Sequence, residues 1–503
     1  MSDPLTPPVE PTPLATRVAR GAAWILGAGI AARLLGAVNT IIVARLLAPD
    51  DIGIVANAAV TMQLLQGISD IGVSQAVVKF RNAGRDDLDT LFTLSALRGL
   101  LIGALLFAAA PFAAQFYGDP RLFWAFAGIA LYPVITGLLN PRFYEFERDL
   151  KFSREFIVTL ANRLIGVAVS VTIAIIFRTY WAIIGGMLAG AVVQLSLSYL
   201  LRPHAPRFCF RSFNKVFGFS GWIAGVSFLA ALNNKLDVPI LTRLAGASGA
   251  GVYFLGLQIS ELVAGQIAAP VTRALYPGLS EMQGDPARMR AGFLRGVEAL
   301  GALAMPAAFG LAFTAIDVTY VLLGEKWSAA APAIALLAPV IGLQSLFFAT
   351  QSYAVALGMT RLVFFRELVF FVVRMPVFIW AAVVHGLNGA IAAAAAMGLF
   401  HVALNLALYA RASGRAFWEP LVAARRPIAA VAAMAAWFLL VRPHVAAFAD
   451  LAPHFRLAAD VVAGAAMYFI SLAALWRAEG RPHGVERQAI QAVAALAKRA
   501  GRI

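Results

Sequence analysis

The stretch "GWIAGVSFLAALNNKLDVPILTRLAGASGAGVYFLGLQISEL" (residues 221–262) decides how the chain is read. Two apolar runs flank the small-residue turn "GASGAG" (246–251), and each is long enough to cross about 30 Å of hydrocarbon as a helix. Inside the first run stand Lys235 and Asp237, where a membrane helix avoids charge. Asn233 and Asp237 are four apart and share a helical face, whereas Asn234 and Lys235 point elsewhere. Pro239 offers no amide hydrogen to the carbonyl of Lys235, so the helix is expected to loosen beside the charges. Two readings compete: an internally satisfied polar kink, and a half-open backbone lining a substrate or ion site. Gln258, Glu261 and Gln266 on the next helix favour the second.

Outward from this stretch the same texture continues. The 503 residues are 61% hydrophobic and 13% charged, with mean hydropathy +0.78. Soluble domains carry about a quarter charged residues, so this chain cannot build a polar shell. The expected class is all-α: a polytopic membrane protein of about fourteen transmembrane helices. The spans are expected near 21–44, 51–78, 90–115, 122–140, 157–177, 181–201, 217–243, 249–272, 294–314, 330–355, 362–383, 387–410, 427–441 and 457–476.

"ARLLAPDDIGIV" (44–55) and "TRLAGASGAGVY" (242–253) share Arg, Leu and Gly in register, pairing Arg45 with Arg243 and Gly53 with Gly251. A weaker echo links "WAIIGG" (181–186) to "NGAIAA" (388–393). The repeat implies two six-helix lobes, 21–201 and 217–410, joined by a cytoplasmic linker at 202–216. Helices over 427–476 are added to them. Parallel repeats of this kind are a transporter architecture with the site between the lobes. The proline-rich start (1–20) reads as a disordered cytoplasmic tail ahead of an uncleaved first helix, and 477–503 as a basic amphipathic tail on the inner leaflet.

The formal charge of +15 first suggests nucleic acid. By these boundaries about 29 of the 41 Lys and Arg fall on one side of the membrane and about seven on the other. That asymmetry places the first side, with both termini, in the cytoplasm, and basic residues spread over many loops form no nucleic-acid groove. One cysteine, Cys209, precludes an intramolecular disulfide, and no Walker-type or H-E-x-x-H motif occurs. No cofactor, metal or catalytic residue is expected.

Five cations remain that no loop accommodates: Arg33, Arg98, Arg163, Lys235 and Arg374. Exposed to lipid they would cost about 2.5–3.5 kcal/mol each, so they must meet carboxylates, polar backbone or water. Arg33 lies about 18 Å from either end of its helix and Arg374 is similarly central, both too deep to snorkel. Lys235 lies about 12 Å from the outer interface, while Arg98 and Arg163 are near cytoplasmic ends within snorkelling range. The candidate anions are Asp70, Asp237, Glu261 and Glu367, the last near a helix end, so a net positive interior is expected. Substrate contact and a structural ion pair are the alternatives for each cation, with Asn234 as a further candidate contact. Asp237, Glu261 and Asp70 are the ion-coupling candidates.

Four stretches carry a family likeness: "ARLLAPDDIGIVANA" (44–58), "FERDLKFSRE" (146–155), "NNKLDVPILTRLAGASGAGVYFLGLQI" (233–259) and "LLGEKWSAAAPAIALLAP" (322–339). In this order and spacing the chain resembles the polysaccharide-transporter branch of the multidrug/oligosaccharidyl-lipid/polysaccharide exporter superfamily, the O-antigen and exopolysaccharide repeat-unit flippases. The resemblance implies a non-enzymatic flippase of the bacterial inner membrane. Its substrate would be an undecaprenyl-diphosphate-linked oligosaccharide, carried from inner to outer leaflet by alternating access, with inner-membrane lipids around it and polysaccharide polymerase and assembly proteins as partners. The membrane potential, or inward protons or sodium, would drive it. Competing readings are a drug or metabolite cation antiporter of the same superfamily, which generally has twelve spans, and a peptidoglycan-precursor flippase. A membrane polysaccharide polymerase or ligase would need a large outward loop, and the longest here is "RPHVAAFADLAPHFR" (442–456).

Overall fold

A computed structural model describes residues 34–69, 84–148, 152–211, 221–281, 285–445 and 451–480. Arg33 and Asp70 lie outside these residues, as do the 1–20 tail, 212–216 of the linker and 481–503 of the C-terminal tail. The described chain is helical, with no strand among the described residues. Among the described residues nine helices are long and apolar enough to cross a membrane, by length and composition, and Leu34–Leu46 and Arg121–Gly137 are shorter apolar segments. Phe112 and Leu200 are 73% and 74% exposed, which suits a lipid-facing surface and not a water-facing one.

We number the helices used below α1 (Leu34–Leu46), α2 (Pro49–Ile68), α3 (Arg85–Tyr117), α4 (Arg121–Ile129), α5 (Leu131–Gly137), α6 (Phe152–Phe177), α7 (Trp181–Leu201) and α8 (Gly221–Lys235). After them come α9 (Asp237–Glu281), α10 (Pro286–Phe313), α11 (Ala331–Ser345), α12 (Thr350–Ala356), α13 (Thr360–Ser413), α14 (Arg425–Ala436) and α15 (Pro453–Ala478). α13 holds two expected spans, and α9 holds the end of one and the whole of the next. α9 turns at Gly246 (φ 75°) and α13 at Gly386 (φ 59°), left-handed conformations that glycine adopts without penalty. Pro306, Pro339 and Pro376 lie inside helices that continue through them.

The chain divides into two compact units, 1–43 with 69–110 and 124–218, and 44–68 with 111–123 and 219–503. In the first, α6 and α7 meet along small residues. A Cβ at Gly186 would press on the carbonyl of Gly166 at 2.6 Å, and Asn162 donates to Gln194 across the same seam at 2.8 Å. In the second, α2 packs against α8 and α9, and α9 against α11 and α13. A core of Phe293, Tyr353, Tyr409 and Tyr468 ties α10, α12, α13 and α15 together. Arg456 of α15 pairs with buried Asp317, and Arg426 of α14 with Glu298 of α10.

Candidate functional site: the broken helix at residues 233–239

α8 ends at Lys235 and α9 begins at Asp237, so the break falls at Leu236, beside the carbonyl that Pro239 cannot satisfy. On the inward face Asn233 and Asp237 are both 3% exposed. Arg374 of α13 donates 2.5 Å to Asp237 Oδ2 and also to the carbonyl of Asn233, one bond on each side of the break. Tyr253 Oη of α9 donates to the same carboxylate oxygen at 2.6 Å. The Arg374 guanidinium lies 5.6 Å from the Phe370 ring centre and 5.9 Å from that of Phe378, which satisfies its faces as the oxygens satisfy its edge.

A second buried pair adjoins the first. Asn233 Nδ2 donates to Glu367 Oε2 at 3.0 Å, and Arg366 pairs with Glu367 Oε1. Arg366 also donates to Asn405 Oδ1 at 2.6 Å and to Gln351 Oε1 at 3.2 Å. Within this cluster two guanidinium groups face two carboxylates, so the expectation of a net positive interior is not met there. Two acceptors stay unpaired, Asp237 Oδ1 and Asn233 Oδ1. Sequence reading missed Arg366, Tyr253, Asn405 and Gln351. The signal for Arg366 was present in its adjacency to Glu367, which had been placed near a helix end.

The other face of the break is open. Asn234 is exposed, with its amide folded back onto the Ala230 carbonyl at 2.8 Å. Lys235 is half-buried and forms no salt bridge with a described residue, although Glu261 lies within electrostatic reach. Glu261, Gln258 and Gln63 are exposed within their helices, a polar row that a lipid-facing surface would not carry. The Gln266 side chain lies outside what the structure describes.

Thus Asp237 and Arg374 are brought together. Arg98 and Arg163 belong to the other unit: Arg98 Nε donates to Ser69 Oγ at 3.0 Å, and Arg163 is exposed on α6. Among the described residues no group of His, Cys, Asp and Glu is placed to hold a metal ion.

Comparison with known proteins resolves the kinship. The profile of a family described as "Polysaccharide biosynthesis protein" matches residues 42–332, which include the broken helix and the 322–327 turn. The chain belongs to that family. It is 24% identical over 336 residues to the lipopolysaccharide biosynthesis protein WzxC of Escherichia coli, covering 64% of this chain and 66% of that protein. It is also 24% identical over 333 residues to the succinoglycan biosynthesis transport protein ExoT of Rhizobium meliloti, covering 66% and 67%. The fold is that of the lipid II flippase MurJ in an inward closed conformation, with TM-score 0.68 and 13% identity over 90% of this chain and 99% of that one. An inward-facing MATE multidrug transporter shares it at TM-score 0.59 and 15% identity over 76% and 95%. This family member is therefore a multi-pass membrane protein with a transporter fold.

Proposed function

We propose that the protein flips an undecaprenyl-diphosphate-linked oligosaccharide repeat unit from the inner to the outer leaflet of the bacterial inner membrane, with both termini in the cytoplasm. The observation that carries this is the two-faced break at 233–239: one face is closed by an internal ion pair, and the other presents Lys235 without a salt bridge. An ammonium placed about 12 Å below the interface is costly unless an anion visits it. A diphosphate diester carries about two negative charges, and a lysine serves it as a point charge. Asn234, Gln258 and Gln63 would meet sugar hydroxyls beside it. In this reading Arg374 is a positioning residue that holds the two helical pieces, not a substrate contact.

The drive we favour is the membrane potential. An inside-negative potential favours outward movement of anions by about 2.3 kcal/mol per charge per 100 mV. Asp237 already holds a tethered cation, so a proton or sodium would have to displace Arg374, which leaves Glu261 as the carboxylate open to ion coupling. A polymerase and assembly proteins would consume the product on the outer face. Lys235→Ala is expected to leave lipid-linked oligosaccharide facing the cytoplasm while protein level holds, and Lys235→Arg to retain output. Normal polymer output from Lys235→Ala would overturn the assignment.

A further inference from the structure

Three backbone carbonyls at the end of α1 are capped from a distant part of the chain. Lys326 Nζ donates to the carbonyls of Arg45 at 2.8 Å and Leu47 at 2.6 Å, and the fully buried Trp327 donates through Nε1 to that of Ala44 at 2.7 Å. In return Arg45 Nε donates to the carbonyl of Leu322 at 2.8 Å, and its Nη2 to that of Val321. Those two carbonyls end the short helical turn Thr319–Leu323, which Gly324 closes with φ 94°. The last carbonyls of a helix have no donor of their own and sit at the negative end of its dipole, so they attract cations. Here each segment's cation caps the other's carbonyls. The arrangement is reciprocal.

Directly beyond it the internal repeat packs on itself. A Cβ at Gly53 of α2 would fall on the carbonyl of Ala247, and one at Gly251 of α9 on the carbonyl of Pro49. Gly53 and Gly251 are repeat mates, and so are Pro49 and Ala247 at the same spacing. The two helix starts therefore touch backbone to backbone, with no interdigitated side chains to withdraw at that point. Beneath the crossing Ala56 and Val60 of α2 are buried against Val238, Leu241 and Tyr253. A glycine crossing parts easily, and exposed Arg45 and Lys326 can exchange carbonyls for water, so the clasp is suited to reversible opening.

We propose that the Arg45–Lys326–Trp327 clasp is the latch of the outer gate, holding the turn at 44–47 and α2 against the C-terminal repeat in the conformation seen here. The sidedness rests on the proposed orientation, and what passes the gate rests on the flippase reading. Residues that set a two-state equilibrium need not touch substrate: they change how often the gate is open.

The test uses the full-length protein with Cys209→Ser, which removes its one cysteine, and Val60→Cys as reporter. Membrane-impermeant maleimide is added to the outside of intact cells. With the clasp intact, labelling is expected to be slow. Lys326→Met and Trp327→Phe should each raise the labelling rate about tenfold, the factor for loss of one charge-assisted or buried hydrogen bond from the closed state. A second reporter, Val363→Cys, lies in a separate buried cluster with Val226 and Leu408 and should be unaffected. Unchanged labelling at position 60 in both variants would overturn the latch, and so would an equal rise at position 363, which signals general loosening. Polymer output is read separately: a Val60→Cys chain that is well labelled but unable to support polymer counts against the flippase reading and leaves the latch result standing.

Discussion

Removal of both partners of the Arg374–Asp237 pair should destabilise the second unit by less than the two single removals sum to. Arg374→Met strands a carboxylate that is 3% exposed, keeps only the Tyr253 hydroxyl as its donor, and releases the Asn233 carbonyl on the far side of the break. Breaking a buried pair in this way costs about 3–5 kcal/mol. Loss of the contacts to Phe370 and Phe378 adds about 0.5–2 kcal/mol. Asp237→Asn keeps an amide oxygen as acceptor but leaves the buried guanidinium without its counter-charge, and a cost of the same order follows. The double variant has no stranded charge, so it should be less destabilised than the sum of the singles by about 2–3 kcal/mol. Denaturant unfolding in mixed micelles, followed by the fluorescence of the nine tryptophans, measures the cycle. Additivity within about 0.5 kcal/mol would refute the reasoning, because the two groups would then not be bonded in the folded membrane protein.

Two further outcomes follow from the geometry. Gly53→Ala should cost about 1–3 kcal/mol through the clash with the Ala247 carbonyl. Gly36→Ala on α1, where no described residue lies within 4 Å, should be neutral or slightly stabilising in the same denaturant assay. In the turn between α3 and α4 the hydrogen bond from Arg121 holds the Asp119 carboxyl below the ordinary carboxylate range. Its folded pKa lies under its unfolded one, so the stabilisation is present above about pH 4 and is lost as pH falls through the folded value. Arg121 is 46% exposed, which keeps the effect below about 1 kcal/mol. The stability gap between the parent and Asp119→Asn should be present at about pH 7 and shrink as pH falls below about 4.

Much of the fold was legible because a bilayer leaves few choices. Apolar runs near twenty residues, punctuated by "GASGAG" and "VHGLNG" (384–389), become helices that turn at Gly246 and Gly386. Gly53 and Gly251, matched in the sequence, also meet in space, since only residues without Cβ let the two backbones touch there. Hydropathy could not show which proline bends a helix. Pro239 sits beside a break because charged partners hold both sides of it, whereas Pro306 and Pro376 lie in unbroken helices. The partner of Arg374 is 137 residues away, and a one-dimensional pattern names the cations of a helix without saying which carboxylate each meets. For the same reason Arg366 went unread: its neighbour Glu367 looked like a helix end and is instead part of a buried network with Asn233 and Asn405.

The central claim is that Lys235 carries an anionic headgroup which the membrane potential moves outward. Purified protein in vesicles loaded with lipid-linked oligosaccharide tests this directly, with leaflet exchange read under potentials of both signs and no ion gradient. The account predicts that exchange away from the cytoplasmic face speeds up when that face is made negative, slows when the sign is reversed, and is lost in Lys235→Ala at either sign. Exchange that ignores the potential, or that Lys235→Ala performs at the parent rate, would contradict it.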